Sequence, residues 1–421
     1  MLLKSKKRLN DRSTDERRLF KNFLYLFCFQ ASNYLMPLFA IPLMTRILTV
    51  EEFGAVMVVM ALIQFCYVVT DFGFNFSATL SVSENRGCKE KLDVIISRVN
   101  TTKFFLIPLT FFFVFGASFF QELEGYRSFL VISVLSIIFQ AYQPNWFFHG
   151  LEKMALFSLY MSLSRISFVI MVYIFLPVIG AGEVVLFSWA FANFLGFMAG
   201  FLIMKKLGYR NKFSSFRDAL VEARNSLPFF WARFSVALYT SFSSIIVGYK
   251  GLHEAALYAG AENFYKAGQS ATRPISQALF PYMVNKKNKK LFFLVFVFTF
   301  IFLMLCCSAV YYFSDHLILF LYGDSYLEMG SVLLVFMLMV PVNYVSVIYG
   351  YPACAIFDRQ DIANTSVVVG ALFFLVIVFF LFLYDAVSAL SVSLSVLVVE
   401  MFVMFYRVLA IYAESARTRV A

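Results

Sequence analysis

The chain has 421 residues, of which 61% are hydrophobic and only 14% charged. A soluble domain is about 45–50% apolar, so water could not cover this surface. A soluble enzyme, a coiled coil, a disordered chain and a secreted disulfide scaffold are excluded. The formal net charge of +10 would point to nucleic acid in a soluble protein. In a polytopic membrane protein Lys and Arg gather on cytoplasmic loops, so the charge is read as topology and no nucleic-acid partner is expected.

The chain opens on a basic stretch, Lys4, Lys6, Lys7, Arg8, Arg12, Arg17, Arg18 and Lys21. The apolar run after it is too long for the hydrophobic region of a signal peptide. Residues 1–19 are therefore expected as a cytoplasmic tail and the first span as retained. A bilayer is crossed by a helix of about 20 apolar residues. Such stretches fall at 20–46, 53–80, 98–120, 126–150, 153–177 and 183–207, forming an expected N-terminal bundle over 20–207. A basic cytoplasmic linker is expected at 208–225. A C-terminal bundle over 226–412 follows, with spans at 226–249, 254–284, 291–313, 326–356, 362–384 and 386–412, and then a tail at 413–421. The expected fold is all-α: twelve transmembrane helices in two six-helix bundles, with both termini cytoplasmic.

The stretch 254–284 is the least apolar of these, because it carries Glu262, Lys266, Gln269 and Arg273. Keeping it places the NKKNKK run at 285–290 in the cytoplasm. With that arrangement 27 of the 35 Lys and Arg lie in cytoplasmic segments, and only Arg46, Arg127 and Lys250 lie outside, as the positive-inside rule requires. Spans one and seven begin near 20 and 226, and tight turns recur near Gly150 and Phe357. This spacing suggests two parallel halves, a common transporter plan.

An intramembrane charge costs about 2.5–3.5 kcal/mol on insertion scales and generally faces a cavity or a partner. The basic ones are Lys103, Arg165, Arg233, Lys266 and Arg273; the acidic ones are Asp71, Glu262 and Glu400. Arg165 lies twelve residues into its span, about 18 Å deep at 1.5 Å per residue, too far to reach the surface. It is expected as a cavity cation, with an internal ion pair as the bland alternative. Glu262, Lys266, Gln269 and Arg273 recur at helical spacing and share one face. Glu262 and Lys266 stand as an i,i+4 pair, which could be glue between helices or leave Lys266 as a ligand. Arg273 has no acidic neighbour one turn away and is the better ligand candidate. Arg233 lies nearer the surface, where it could snorkel. Lys103 is read as a snorkelling anchor. Asp71 is expected to pair with Arg233 or Arg273, or to bind a coupling ion, and Glu400 could be proton-linked. Span one holds Gln30, Asn33, Pro37 and Pro42, and its two prolines imply kinks.

Other chemistry lacks its signatures. The six Cys and three His form no metal or redox spacing, there is no Walker A loop, and no Ser/His/Asp set can be assembled. No cofactor is expected.

Several segments taken in order resemble a known family. They are the opening LFKNFLYLFCFQASNYLMPLFAIPLMTRILTVEEFG with Pro42, Arg46, Glu52, Phe53 and Gly54, DFGFN at 71–75, PNWFFHGLEKM from Pro144 to Met154, LPFF at 227–230 and ALFPYM at 278–283. The chain resembles the O-antigen and exopolysaccharide flippases (Wzx-like) of the multidrug/oligosaccharidyl-lipid/polysaccharide exporter superfamily. His149 stands where such proteins often carry Gln, which fits a polar helix end. The resemblance implies an undecaprenyl-pyrophosphate-linked oligosaccharide as substrate, flipped from the cytoplasmic to the periplasmic leaflet of the bacterial inner membrane. It also implies the lipid bilayer, a polysaccharide polymerase and a chain-length regulator as partners. The candidate substrate-binding cations are then Arg165, Arg273, Lys266 and Arg233, and Asp71, Glu262 and Glu400 are candidates for ion coupling or ion pairing. Two other readings stand beside it: a cation-coupled multidrug or metabolite antiporter, disfavoured by five deep cations against three anions, and a membrane-embedded glycan polymerase or transferase.

Overall fold

The computed structural model describes residues 38–286, 289–357, 359 and 361–420. The basic tail, most of the expected first span with Gln30, Asn33 and Pro37, and Lys287 lie outside the described residues. Among the described residues every regular element is helical.

The first group of helices starts with α1 (Leu38–Ile47), which contains Pro42. Helix α2 (Val50–Asp71) begins where Thr49 Oγ1 accepts the amide of Glu52 at 3.2 Å, satisfying one of the free donors of a helix start. It stops at Phe72 and Gly73, both left-handed with φ of 44° and 83°, and α3 (Phe74–Glu84) continues beyond them. The expected span 53–80 is therefore two helices joined by a kink. A Cβ on Gly73 would lie 2.8 Å from Cβ of Phe229, so the residue must be glycine for both conformation and space. Next come α4 (Lys89–Ala117), a 3₁₀ turn (Gln121–Tyr126), α5 (Arg127–Ala141), α6 (Asn145–Gly150), α7 (Met154–Ile179) and α8 (Glu183–Lys206). Pro144 separates α5 from α6 and supplies no amide to continue the helix.

The second group comprises α9 (Phe216–Tyr239), α10 (Ser241–Lys250), α11 (Leu252–Lys286), α12 (Lys289–Tyr312), α13 (Ser314–Leu321) and a 3₁₀ turn (Asp324–Met329). It continues with α14 (Gly330–Tyr349), α15 (Tyr351–Ile356), α16 (Asp361–Leu383) and α17 (Ala389–Val420). The order repeats that of the first group. Helices α4, α5, α6, α7 and α8 begin at Lys89, Arg127, Asn145, Met154 and Glu183, and α12, α14, α15, α16 and α17 at Lys289, Gly330, Tyr351, Asp361 and Ala389. Among the described residues ten segments are long and apolar enough to cross a membrane, and the chain is a multi-pass membrane protein. The 35-residue α11 is not one of the ten, because its polar stripe dilutes its hydropathy.

The segment expected as a linker is built into the fold. Helix α9 starts at Phe216, ten residues before the expected span, and the extended chain ahead of it is strapped along α4. The amides of Arg210, Lys212 and Ser214 donate to Asp93 Oδ1, Ser97 Oγ and Thr101 Oγ1 at 2.8, 3.1 and 2.9 Å. Four helical residues rise about 6.0 Å and two extended residues about 6.6 Å, so acceptors at i, i+4 and i+8 meet every second amide of the strap.

The two groups meet at both ends of α2. At one end Phe53 packs edge-on against Tyr322 and Tyr326, and Thr45 Oγ1 and Arg46 donate to the carbonyls of Leu321 and Phe320 at 3.3 Å. At the other, Phe72 stacks on Phe230 with centroids 4.3 Å apart, and the Ser77 and Ser226 hydroxyls are 2.7 Å apart. Arg98 reaches Asp218 at 3.1 Å beside them.

Candidate functional site: a cavity between the two helix groups

Between these two contacts lies a cavity of about 310 Å³. Met60 and Gln64 of α2, Arg165 of α7 and Trp189 of α8 line it from the first group, and Glu262 and Lys266 of α11 from the second. Leu38, Ile41 and Met44 of α1 and Ser241 and Ser244 of α10 complete much of the wall.

Arg165 is buried, 5% exposed. Its guanidinium carbon lies 4.2 Å from the centroid of the Trp189 ring, close enough for a cation–π attraction. The helices carrying the pair are locked together one residue away, where Ser164 Oγ donates to the carbonyl of Ala192. Trp189 is held by an edge-to-face contact with Phe168 at 5.2 Å. Across the cavity Lys266 Nζ lies 2.8 Å from Glu262 Oε2, which also accepts from Ser244 Oγ at 3.3 Å. Glu262 is buried whereas Lys266 is half exposed. Two cations and one carboxylate leave the chamber with one net positive charge.

The polar stripe of α11 divides. Glu262 and Lys266 line the cavity; Arg273, further along, donates to Gln269 Oε1 at 3.3 Å and is not among the lining residues. Arg233 of α9 lies 3.7 Å from Asp71 Oδ2, and its guanidinium is 5.6 Å from the Phe76 ring. This pair joins α9 to the α2–α3 kink rather than lining the chamber. Glu400 is buried on α17 and accepts a hydrogen bond from Asn343 Nδ2 of α14 at 3.2 Å, also apart from the cavity lining.

Two cations are placed otherwise than their sequence positions suggest. Lys103 does not snorkel: it is 2% exposed, and its Nζ donates to the Ala141 carbonyl at 2.6 Å, at the end of α5 that Pro144 leaves open. Arg407, counted above with the cytoplasmic residues, is buried. It donates to Ser366 Oγ, the Ser346 carbonyl and the Ala363 carbonyl at 2.8, 2.7 and 3.0 Å, tying α17 to α14 and α16.

The uncharged lining residue Gln64 was not singled out from the sequence; it accepts from Gln140 Nε2 at 3.4 Å. Away from the lining, Gln143 donates to Asn193 and Asn193 to Ser136, at 3.2 and 2.9 Å. Intramembrane amides were the available signal for these polar groups. Among the described residues no three His, Cys, Asp or Glu converge as a metal site.

A chamber between two helical groups, lined by a guanidinium stacked on an indole, is the candidate site of this polytopic membrane protein. The fold is shared with the structure titled "Lipid II flippase MurJ, inward closed conformation", at a TM-score of 0.68 and 15% identity over 94% of this chain and 87% of that one. It is shared also with an inward-facing multidrug resistance MATE family transporter of the MOP superfamily, at 0.64 and 14% over 94% and 96%. The chain belongs to the polysaccharide biosynthesis protein family, whose model matches residues 19–287. It is 24% identical over 407 residues to the "Putative O-antigen transporter" of Shigella dysenteriae, covering 93% of this chain and 99% of that protein. A protein of the same description from Escherichia coli (strain K12) is 26% identical over 272 residues, covering 64% and 66%.

Proposed function

We propose that the protein is a flippase that moves an oligosaccharide repeat unit, linked through a pyrophosphate to undecaprenol, from the cytoplasmic to the periplasmic leaflet of the bacterial inner membrane. The carrying observation is the pair Arg165 and Lys266, presented from opposite helix groups into one cavity. A diphosphate needs charge-assisted hydrogen bonds to replace the water it loses, and Arg offers a planar fork to its oxygens. The polyprenyl tail already belongs in lipid, so only the head group needs the chamber. At about 310 Å³ the cavity matches the low end of small-molecule sites, enough for the diphosphate and not for the sugars. Carriage of a whole repeat unit therefore requires the contacts at one end of α2 to open. The repeated order of helices supports two six-helix bundles and twelve spans, and the placement of Lys and Arg supports cytoplasmic termini, with alternating access as the bundles rock about the chamber. A polymerase and a chain-length regulator would receive the product.

The test is an in-cell assay of undecaprenyl-linked repeat units with and without the protein. Units trapped on the cytoplasmic side in its absence support the reading, and unchanged export overturns it. A second reading, a cation-coupled antiporter, draws on the MATE fold and on Glu262 in the chamber. It predicts drug efflux that depends on Glu262 rather than on Arg165.

A further inference from the structure

A second cavity, of about 240 Å³, lies between α4, the α5–α6 break, α8 and the strap that precedes α9. Its walls are aromatic and apolar: Tyr142, Pro144 and Trp146 at the α5–α6 break, and Phe197 and Phe201 of α8. Its rim is polar, formed by Asn100 and Thr101 of α4 and Asn211 and Lys212 of the strap. Central-cavity residues such as Arg165 and Lys266 are absent from its lining.

Two observations say what this pocket faces. The first is charge. Lys205 and Lys206 end α8, and Arg210 and Lys212 follow on the strap, all four exposed. Among the described residues none of the four forms an ion pair, and the neighbouring carboxylates are engaged elsewhere: Asp93 accepts the Arg210 amide, and Asp218 holds Ser214, Ser215 and Arg98. The second is the aromatic skirt beside them. Phe213 is 78% and Phe216 63% exposed, yet Phe213 packs edge-on against Phe104 at 5.6 Å and Phe216 against Phe105 at 5.0 Å. Exposed apolar rings beside a row of exposed cations fit the cytoplasmic edge of a bilayer, where Lys and Arg gather. Basic pockets between membrane helices at that level take anionic head groups.

We infer that this pocket binds an anionic phospholipid of the bilayer, its phosphate held by Lys212 at the rim and attracted by Lys205 and Lys206 at the adjoining end of α8, with one acyl chain seated against Trp146, Phe197 and Phe201. The occupant bridges α8 and the strap, so it steadies the connection between the two helix groups. The inference is independent of what the central cavity carries.

The experiment uses the full-length protein in neutral detergent, with phosphatidylglycerol, phosphatidylcholine, undecaprenyl diphosphate or inorganic phosphate added. Thermal unfolding and native mass spectrometry are the readouts. Phosphatidylglycerol is expected to raise the unfolding temperature and to remain bound, while phosphatidylcholine and inorganic phosphate do neither. The Lys205→Gln, Lys206→Gln and Lys212→Gln variants are expected to weaken phosphatidylglycerol binding about fivefold per lysine removed, in line with the attraction of an interfacial Lys to acidic lipid. Should the triple variant unfold on purification, Lys212→Gln alone and a salt titration of the native protein supply the same reading, since the attraction is screened. Equal effects of phosphatidylcholine, full retention by the triple variant, reproduction by inorganic phosphate, or preference for undecaprenyl diphosphate would each overturn the assignment.

Discussion

Asp71 and Arg233 face each other across the seam between the two helix groups, with Arg233 Nε 3.7 Å from Asp71 Oδ2. The carboxylate side chain is 2% exposed and the guanidinium side chain 34%, so one partner is sealed in and the other still reaches solvent. Among the described residues Oδ2 has no hydrogen-bond partner, and its compensation comes from charge at a distance. Removing the guanidinium leaves a buried, uncompensated anion, whereas neutralising both partners does not. Arg233→Met is expected to destabilise the protein by about 1–3 kcal/mol, less than a fully buried pair loses. Asp71→Asn in the same chain is expected to restore at least half of that. Unfolding in detergent across the double-mutant cycle measures the coupling, and additive effects would show that the pair contributes nothing.

The kink beside Asp71 gives a second expectation. Gly73 has φ of 83°, and a Cβ there would lie 2.8 Å from Cβ of Phe229 and 2.9 Å from the amide of Phe230. Gly73→Ala is expected to cost about 2 kcal/mol or more through backbone strain and overpacking. It should also loosen the Phe72–Phe230 stack, so cysteines placed at positions 76 and 229 should cross-link less readily than in an otherwise native chain. An unchanged melting temperature and unchanged cross-linking would refute the docking of this kink on α9.

In the central cavity Arg165→Ala is expected to lower export of lipid-linked repeat units at least tenfold at normal protein abundance, with Arg165→Lys retaining part of the activity. A charge-assisted hydrogen bond to a diphosphate is worth about 1.5–3 kcal/mol, and Lys keeps the charge while losing the fork. Export by the Ala variant at the native rate would remove Arg165 from the transport path.

Lys266 and Glu262 should behave asymmetrically. Lys266→Met strands a buried carboxylate, while Glu262→Gln frees an ammonium that is already half exposed. The first is expected to reduce folded yield more than the second, and the double variant to recover yield. If instead the double variant folds well but no longer exports, Lys266 contributes to substrate and not only to Glu262.

Arg407→Met is expected to lower the unfolding temperature through about 2–4 kcal/mol of lost stability, because two carbonyls and two hydroxyls lose a buried donor. Arg407→Lys should recover only part, since one ammonium cannot reach three residues on two helices. Export should fall in proportion to abundance. A loss of export at full abundance would assign Arg407 a role in transport that its position does not explain.

The helices of this protein were legible because apolar length is a strong signal, and even the polar α11 was recovered from the placement of the basic residues around it. Direction around a helix was not legible. Position along a span gives depth, so Lys103 near one end read as an anchor and Arg407 as a cytoplasmic charge. Neither position reveals that the side chain turns inward to cap a broken α5 or to join three helices. The kink at Phe72–Gly73 was hidden for a related reason: DFGFN stays apolar on both sides, so hydropathy runs through it unbroken, and only the approach of α9 makes the glycine necessary. The site was half legible. Arg165 and the Glu262–Lys266 pair stood out as charges, but Trp189 and Gln64 are ordinary residues of membrane helices until the fold sets them beside one chamber.

The strap along α4 limits how the protein can deform. Its three hydrogen bonds fasten the start of α9 to the first helix group, and Arg98 and Thr102 add anchors to Asp218 and to the carbonyl of Ala219. A chain stretched taut along a rigid rod has no slack to release. If the two groups swing apart, they must pivot about this edge like the covers of a book about its spine, with the widest aperture on the side remote from α4.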